Sequence, residues 1–239
     1  MRLNNVLIAT TLVGLLVSFW NRNDLPSSID YVPEIANEPK QTRTREKPFY
    51  ATVNDVEYLV EPEYAYDLTG MIVSYRHHEG NSRMHLQAND HLNMADVCVV
   101  WGDNIQSELH ELDFWNGIFT CNVFTRDMQA WESFDMNQLS NNHLISDDEF
   151  IRRQARKIRI GDQIRVRGYL ASYSNNGGGK RGTSTTRTDT GDGACETVFV
   201  EYFRIVEPAT SYWRISMWTS LALLLAGLFI HFRRPYKPH

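Results

Sequence analysis

The sequence predicts a mainly β (α+β) domain, a small barrel or sandwich with one mid-chain helix, flanked by two transmembrane helices. Three observations carry that prediction. The apolar residues gather in two terminal runs, the middle holds repeated strand-like runs between turn-rich stretches, and one segment carries a helix-capping signal. The chain has 239 residues, enough for about one domain with appendages. Its net charge of −5 gives no general attraction to nucleic acid, so no nucleic-acid partner is expected.

The first element is an N-terminal anchor over residues 1–20. Its apolar run, VLIATTLVGLLVSFW at residues 6–20, follows Arg2 and the amino terminus. That run is shorter than the roughly 20 residues of a full span, as in a signal sequence. A cleaved signal ends in small residues, whereas this one ends in Phe19-Trp20-Asn21-Arg22. An uncleaved signal anchor is therefore expected, with a cleaved peptide as the alternative. Residues 21–48 carry Pro26, Pro33, Pro39 and Pro48, which forbid a long helix and predict an extended tether.

The last element is a second span over residues 213–232, with Trp213 and Trp218 where an interfacial belt belongs. Arg233, Arg234 and Lys237 follow in a short basic tail, residues 233–239. By the positive-inside rule this tail and Arg2 are both cytoplasmic. Two spans with both ends inside leave the central domain extracytoplasmic.

Between these ends, residues 49–207 read as the folded domain. YATVNDVEYLV, YDLTGMIVSY, VCVVW, GIFTCNVF, QIRVRGYLASY and TVFVEYFRIV are rich in aromatic and β-branched residues and predict strands. In QIRVRGYL, Ile164, Val166 and Leu170 alternate with Arg165, Arg167 and Tyr169, the pattern of a half-buried strand. Ser146 with Glu149 forms a capping box, and Ile151, Ala155 and Ile158 follow at helical spacing before Gly161-Asp162. SNNGGGK predicts a turn after the QIRVRGYL strand, and RGTSTTR its returning partner. GDQIRVRGYL followed by such a hairpin resembles the rhythm of OB-like barrels.

The extracytoplasmic placement gives the three cysteines meaning, because disulfides persist in oxidising compartments. Cys98 in DVCVVW and Cys121 in GIFTCNVF are the expected pair, leaving Cys195 as the odd thiol. In a reducing compartment all three would be small buried hydrophobes.

The stretch TRTDTGDGACE, residues 186–196, raises the functional question. Its Asp-Thr-Gly is not an aspartic-protease motif, since the preceding Thr186-Arg187-Thr188 is too polar for the apolar strand such a site needs. Asp189 with Gly191 and Gly193 fits a compact turn, and SNNHLIS fits a similar device before the helix. If the two loops meet, Asn141, Asn142, His143, Arg187, Asp189, Asp192 and Glu196 form the candidate binding site. Asp189, Asp192 and Glu196 offer oxygen ligands but miss EF-hand spacing.

Cys195 is also a candidate nucleophile. His143 lies 52 residues upstream and Arg204 nine downstream. That order, His, Cys, Arg, is similar to sortases, membrane-anchored β-barrel transpeptidases, and implies His143 as base and Arg204 at the oxyanion. The chain departs from that pattern where Gly193-Ala194 precedes the cysteine in place of an apolar strand ending in threonine.

HHEGNSRMHLQANDH packs His77, His78, His85, Asp90 and His91 into fifteen residues and reads as a solvated histidine-rich loop; His77, His85 and His91 are a weak metal alternative, and the spacing leads to an expectation of no metal. Arg152, Arg156 and Arg159 share a helical face that would suit anionic lipid. GGGKRGT lacks P-loop spacing, so no nucleotide and no cofactor are expected.

Four strings together, NDHLNMADVCVVWGDN, LSNNHLI, GDQIRVRGYL and TSTTRTDTGDGACETVFVE, resemble a bacterial family of membrane-anchored envelope proteins with no assigned activity. The resemblance spans roughly residues 64–206 and implies a bacterial envelope setting, so the expected location is the inner (cytoplasmic) membrane with the central domain periplasmic or otherwise extracytoplasmic, and other envelope proteins are expected partners. It brings no catalytic residue. The favoured expectation is a non-enzymatic binding or assembly role. The rival is a thiol-dependent envelope enzyme, a sortase-like cysteine transpeptidase or hydrolase, using Cys195 and His143. A bridged or buried Cys195 excludes the rival; an exposed Cys195 within hydrogen-bond reach of His143, in a cleft, favours it.

Overall fold

Four α-helices and nine β-strands build the described part of the chain. The structure is a computed structural model and describes residues 3–78, 88–117, 120–177, 179–186 and 195–233. The helices are α1 (Leu3–Trp20), α2 (Met128–Glu132), α3 (Glu149–Ala155) and α4 (Tyr212–Arg233). The strands are β1 (Lys40–Arg43), β2 (Phe49–Val53), β3 (Val56–His77), β4 (Asn93–Val100), β5 (Asp113–Asn116), β6 (Cys121–Phe124), β7 (Leu139–Ile145), β8 (Gln163–Asn175) and β9 (Cys195–Glu207). Two units are distinguished: Ser27–Ala209, and the terminal segments Met1–Pro26 with Thr210–His239.

In the central unit one seven-stranded mixed sheet runs β1-β3-β4-β7-β9-β8, with β2 also on β3, and β8 returns to pair with β3. All pairs are antiparallel except β7–β9, which is parallel. β3 can serve β1, β2, β4 and β8 because it is 22 residues long and broken by two register shifts. One shift follows Pro62, which has no N–H for a ladder. Gly70 sits where β4 passes closest: a Cβ there would lie 2.3 Å from Val99 Cγ1 and 2.9 Å from the Val100 carbonyl oxygen.

Apolar faces of β2, β3, β8 and β9 close on one another through Ala51, Val53, Tyr58, Val60, Ala171, Tyr173 and Phe199, with Leu92 and Ile145 in the same cluster. Phe49 meets Phe199 edge to face at 4.8 Å between ring centres. β5 and β6 form a separate hairpin. The expected Cys98–Cys121 disulfide ties this hairpin to β4, with Cα atoms 5.7 Å apart. It closes a loop of sequence separation 23, so replacing both cysteines by alanine should cost about 3 kcal/mol. Thermal unfolding of the double variant, compared with the oxidised wild type, checks this.

Several local expectations are corrected. Asp148, not Ser146, caps α3: its carboxylate accepts from the Phe150 and Ile151 N–H groups. The Ser146 hydroxyl donates to the Val200 carbonyl instead. α3 ends at Ala155, and Ile158 is buried in the turn beyond it. A second short helix, α2, was not expected; Asp127 caps it. The RGTSTTR segment makes only one ladder bridge, Arg181 with Tyr173. SNNHLI is strand β7 rather than a loop; being buried nearly throughout, it lacks the alternation that marks a strand.

The Pro-rich segment is extended but docked. Ile35 is fully buried, Lys40–Arg43 pairs with β3, and the Gln163 amide holds the Asp30 carbonyl and the Val32 N–H at 2.7 and 2.8 Å. The prolines forbid a long helix, but they permit the short 3-10 turn Pro33–Ala36 and an edge strand.

The terminal unit is an antiparallel pair, α1 with α4. Asn4 Nδ2 donates to the Gly227 carbonyl at 3.2 Å, and the Ser18 and Ser216 hydroxyls bond at 2.9 Å near the other end. Gly14 faces Ser220 and Gly227 faces Ile8 and Leu7, so small residues line the seam. Leu16, Phe19, Ile215 and Phe229 point away, exposed. Both helices are long and apolar enough to cross a membrane.

Candidate functional site: a cysteine, a histidine and an aspartate across three strands

β4, β7 and β9 lie side by side, and their register sets the site. Asp96 is opposite His143, and His143 is opposite Thr197. Two residues along, Cys98 is opposite Asn141, and Asn141 is opposite Cys195. Residues two apart on a strand share a face. Asp96, Cys98, Asn141, His143, Cys195 and Thr197 therefore all project from one face.

The polar side chains on this face form a continuous line. His143 Nδ1 lies 2.5 Å from Asp96 Oδ1, and the other carboxylate oxygen lies 2.6 Å from His78 Nε2. The His143 ring also hydrogen-bonds the Cys195 side chain. With Nδ1 engaged by Asp96, the ring's other nitrogen is the one available to the sulfur. Asn141 Nδ2 donates to Cys195 Sγ at 3.3 Å. Asn93 Nδ2 donates to Asp96 Oδ1 at 3.0 Å. Asp96, His78 and His143 are 3%, 8% and 5% exposed, so the pairing is shielded from water. Cys195 is partly exposed and takes no part in a disulfide.

The electrostatics follow from that burial. Desolvation alone would raise the Asp96 carboxyl, but hydrogen bonds from His143 and His78 override it and hold it well below the usual carboxylate range. Desolvation alone would lower His143; its bonds to Asp96 and Cys195 instead push it up to about 9. The sign for stability follows. The raised His143 contributes fully below its ordinary 6.5, and its contribution fades as pH rises toward 9. The depressed Asp96 contributes above 3.8 and loses that only in strong acid. Melting temperature should therefore decline from about pH 6.5 to 9, and His143→Gln should flatten that decline in a pH series.

Of the expected binding residues, Asn141 and His143 join Cys195. Asn142 and Glu196, one residue out of step, face the opposite side of the sheet, where Asn142 Nδ2 donates to the Ser140 hydroxyl at 2.7 Å. Arg204 lies nine residues along β9, about 30 Å of extended chain from Cys195, exposed and opposite Arg165. Arg187, Asp189, Asp192 and His85 lie outside the described residues.

His77 and His91 line a cavity of about 280 Å³ with His78, Met94, Glu149, Arg152 and Arg156. Among the described residues, no group of three or more histidine, cysteine or acidic side chains is arranged to hold a metal. The arginine face also resolves differently. Arg152 turns inward onto the carbonyls of Leu92, Ser146 and His91, Arg156 lies 3.7 Å from Glu149, and Arg159 falls beyond the helix.

Two participants were missed. Asp96 sat inside the apolar string MADVCVVW, and a carboxylate in a fully buried strand is itself a signal, since it must be paired. His78 was counted with a histidine-rich loop rather than with that carboxylate. Asn141 stands between Cys98 and Cys195, which puts those two Cα atoms about 10 Å apart, too far for a disulfide between them.

No family model, curated protein or solved structure matches this chain.

Proposed function

We propose that this chain is a membrane-anchored envelope protein whose central domain carries a cysteine nucleophile. Cys195 is the attacking sulfur, His143 its base and Asp96 the group that orients the base. The carrying observation is the hydrogen-bonded line Cys195–His143–Asp96 on one face of three adjacent strands. An imidazole beside a sulfur can take its proton, and a carboxylate behind the ring fixes its orientation. A pure binding role gives no reason for that alignment. The activity class is a thiol-dependent hydrolase or transpeptidase. The arginine that the sortase likeness requires is remote, so the likeness extends to the histidine and cysteine alone.

The same proposal covers the setting. The returning order of pairings, with β7 parallel to β9 and α3 between β7 and β8, supports an OB-like barrel. The antiparallel pair of apolar helices supports a two-span anchor with both termini on one side of a membrane. The basic residues at each end favour the cytoplasmic side for those termini and the outer side for the domain.

The test is alkylation of the native full-length protein in detergent. Iodoacetamide should add once, at Cys195, at pH 7 and much faster than to a free cysteine peptide. Labelling of Cys195 only after unfolding would overturn the thiol reading.

A further inference from the structure

The thiol reading leaves the oxyanion without a donor, because Arg204 is too far along β9. We infer that Asn141 supplies that donor, that Asn116 positions it, and that the substrates are acyl compounds: amides, esters or thioesters. The inference rests on Cys195 being the nucleophile.

Asn141 Nδ2 already reaches Cys195 Sγ at 3.3 Å. A carbon bonded to that sulfur would bring its oxygen into the same neighbourhood, where an amide N–H meets a far better acceptor than sulfur. Asn141 is 5% exposed, so its dipole acts with little screening by water. Its orientation is set from behind. Asn116 Nδ2 lies 3.5 Å from Asn141 Oδ1 and 3.5 Å from the Asp96 carbonyl oxygen, which turns the donor end of Asn141 toward the sulfur. Asn116 is in turn opposite Cys121 in the β5–β6 hairpin, and Cys121 is bonded to Cys98, the β4 neighbour of Asn141. The disulfide thus holds the hairpin that holds the positioning residue. A fixed N–H donor at this point suits addition to a carbonyl, where negative charge develops on an oxygen beside the sulfur.

The chemistry balances without any further reactant except water or an amine. The Cys195 thiolate adds to the carbonyl carbon, a C–S bond forms, and the π pair moves to oxygen, where Asn141 donates its hydrogen bond. The intermediate collapses, the bond to the leaving group breaks, and that group takes the proton held by the His143 imidazolium. Water or an amine then attacks the thioester, His143 takes its proton, and the thiolate departs.

Two probes that share the nucleophile separate the donor role from the thiol reading. p-Nitrophenyl acetate acylates through an oxyanion; iodoacetamide alkylates without one. Asn141→Ala, and the similarly shaped apolar Asn141→Leu, should slow the acylation burst by about 10²-fold while changing the alkylation rate less than about threefold. Asn116→Ala should show the same split with a smaller loss, about 10-fold, since it removes the support and not the donor. Unchanged acylation in both Asn141 variants, or equal loss with both probes, overturns the donor role. Failure of wild-type Cys195 to react with iodoacetamide overturns the thiol reading instead.

Discussion

Asp96→Ala is expected to destabilise the central domain more than any other single change at this site, by about 3–5 kcal/mol. The carboxylate accepts from His143, His78 and Asn93 in a pocket closed to water. Removing it leaves three buried polar groups that lose their common acceptor at once. One histidine, His143, also loses the partner that keeps it charged. For a domain of this size the corresponding fall in melting temperature is on the order of 10 °C. Asp96→Asn keeps the shape and part of the bonding, so its loss should be smaller. A melting temperature for Asp96→Ala within about 2 °C of wild type would mean that the buried pairing contributes nothing.

His143→Ala should have the largest effect on reactivity. The wild-type thiol lies against an imidazole pushed up to about 9, which is therefore cationic at neutral pH. Without it, alkylation of Cys195 by iodoacetamide at pH 7 should slow by about 10²-fold, the usual span of a general base. Equal rates at pH 7 in the two proteins would remove His143 from any part in activating the sulfur. Exogenous imidazole restoring part of the rate would strengthen its assignment.

Local signals carried different parts of this molecule unequally. The long apolar ends were plain, because a helix that is apolar all round needs no alternation to be read. The half-wet strand β8 was plain because Arg165 and Arg167 alternate with Ile164 and Val166. β4 and β7 were harder, since both are buried on both faces and carry Asp96, Asn141 and His143 where apolar residues are normal. SNNHLI consequently looked like a turn. Cys195 and His143 were legible as residue types, but not as neighbours. Their meeting depends on a parallel pairing between strands 54 positions apart at Asn141 and Cys195, and no local pattern encodes that register. Asp96 escaped notice for the same reason: its partner lies one strand over. The disulfide was accessible because counting cysteines and strand runs needs no register.

The placement of β9 between β7 and β8 also bears on how the molecule comes into being. Translation runs from the N-terminus, so Cys195 arrives on the last described strand, after His143 and Asp96 have been made. Until residues 195–207 emerge, β7 and β8 each present a raw edge, the kind of surface that invites pairing with another copy. A nascent or truncated polypeptide ending before this strand would thus lack the sulfur beside His143 and be sticky as well. Completion of the ladder and assembly of the polar line are one event.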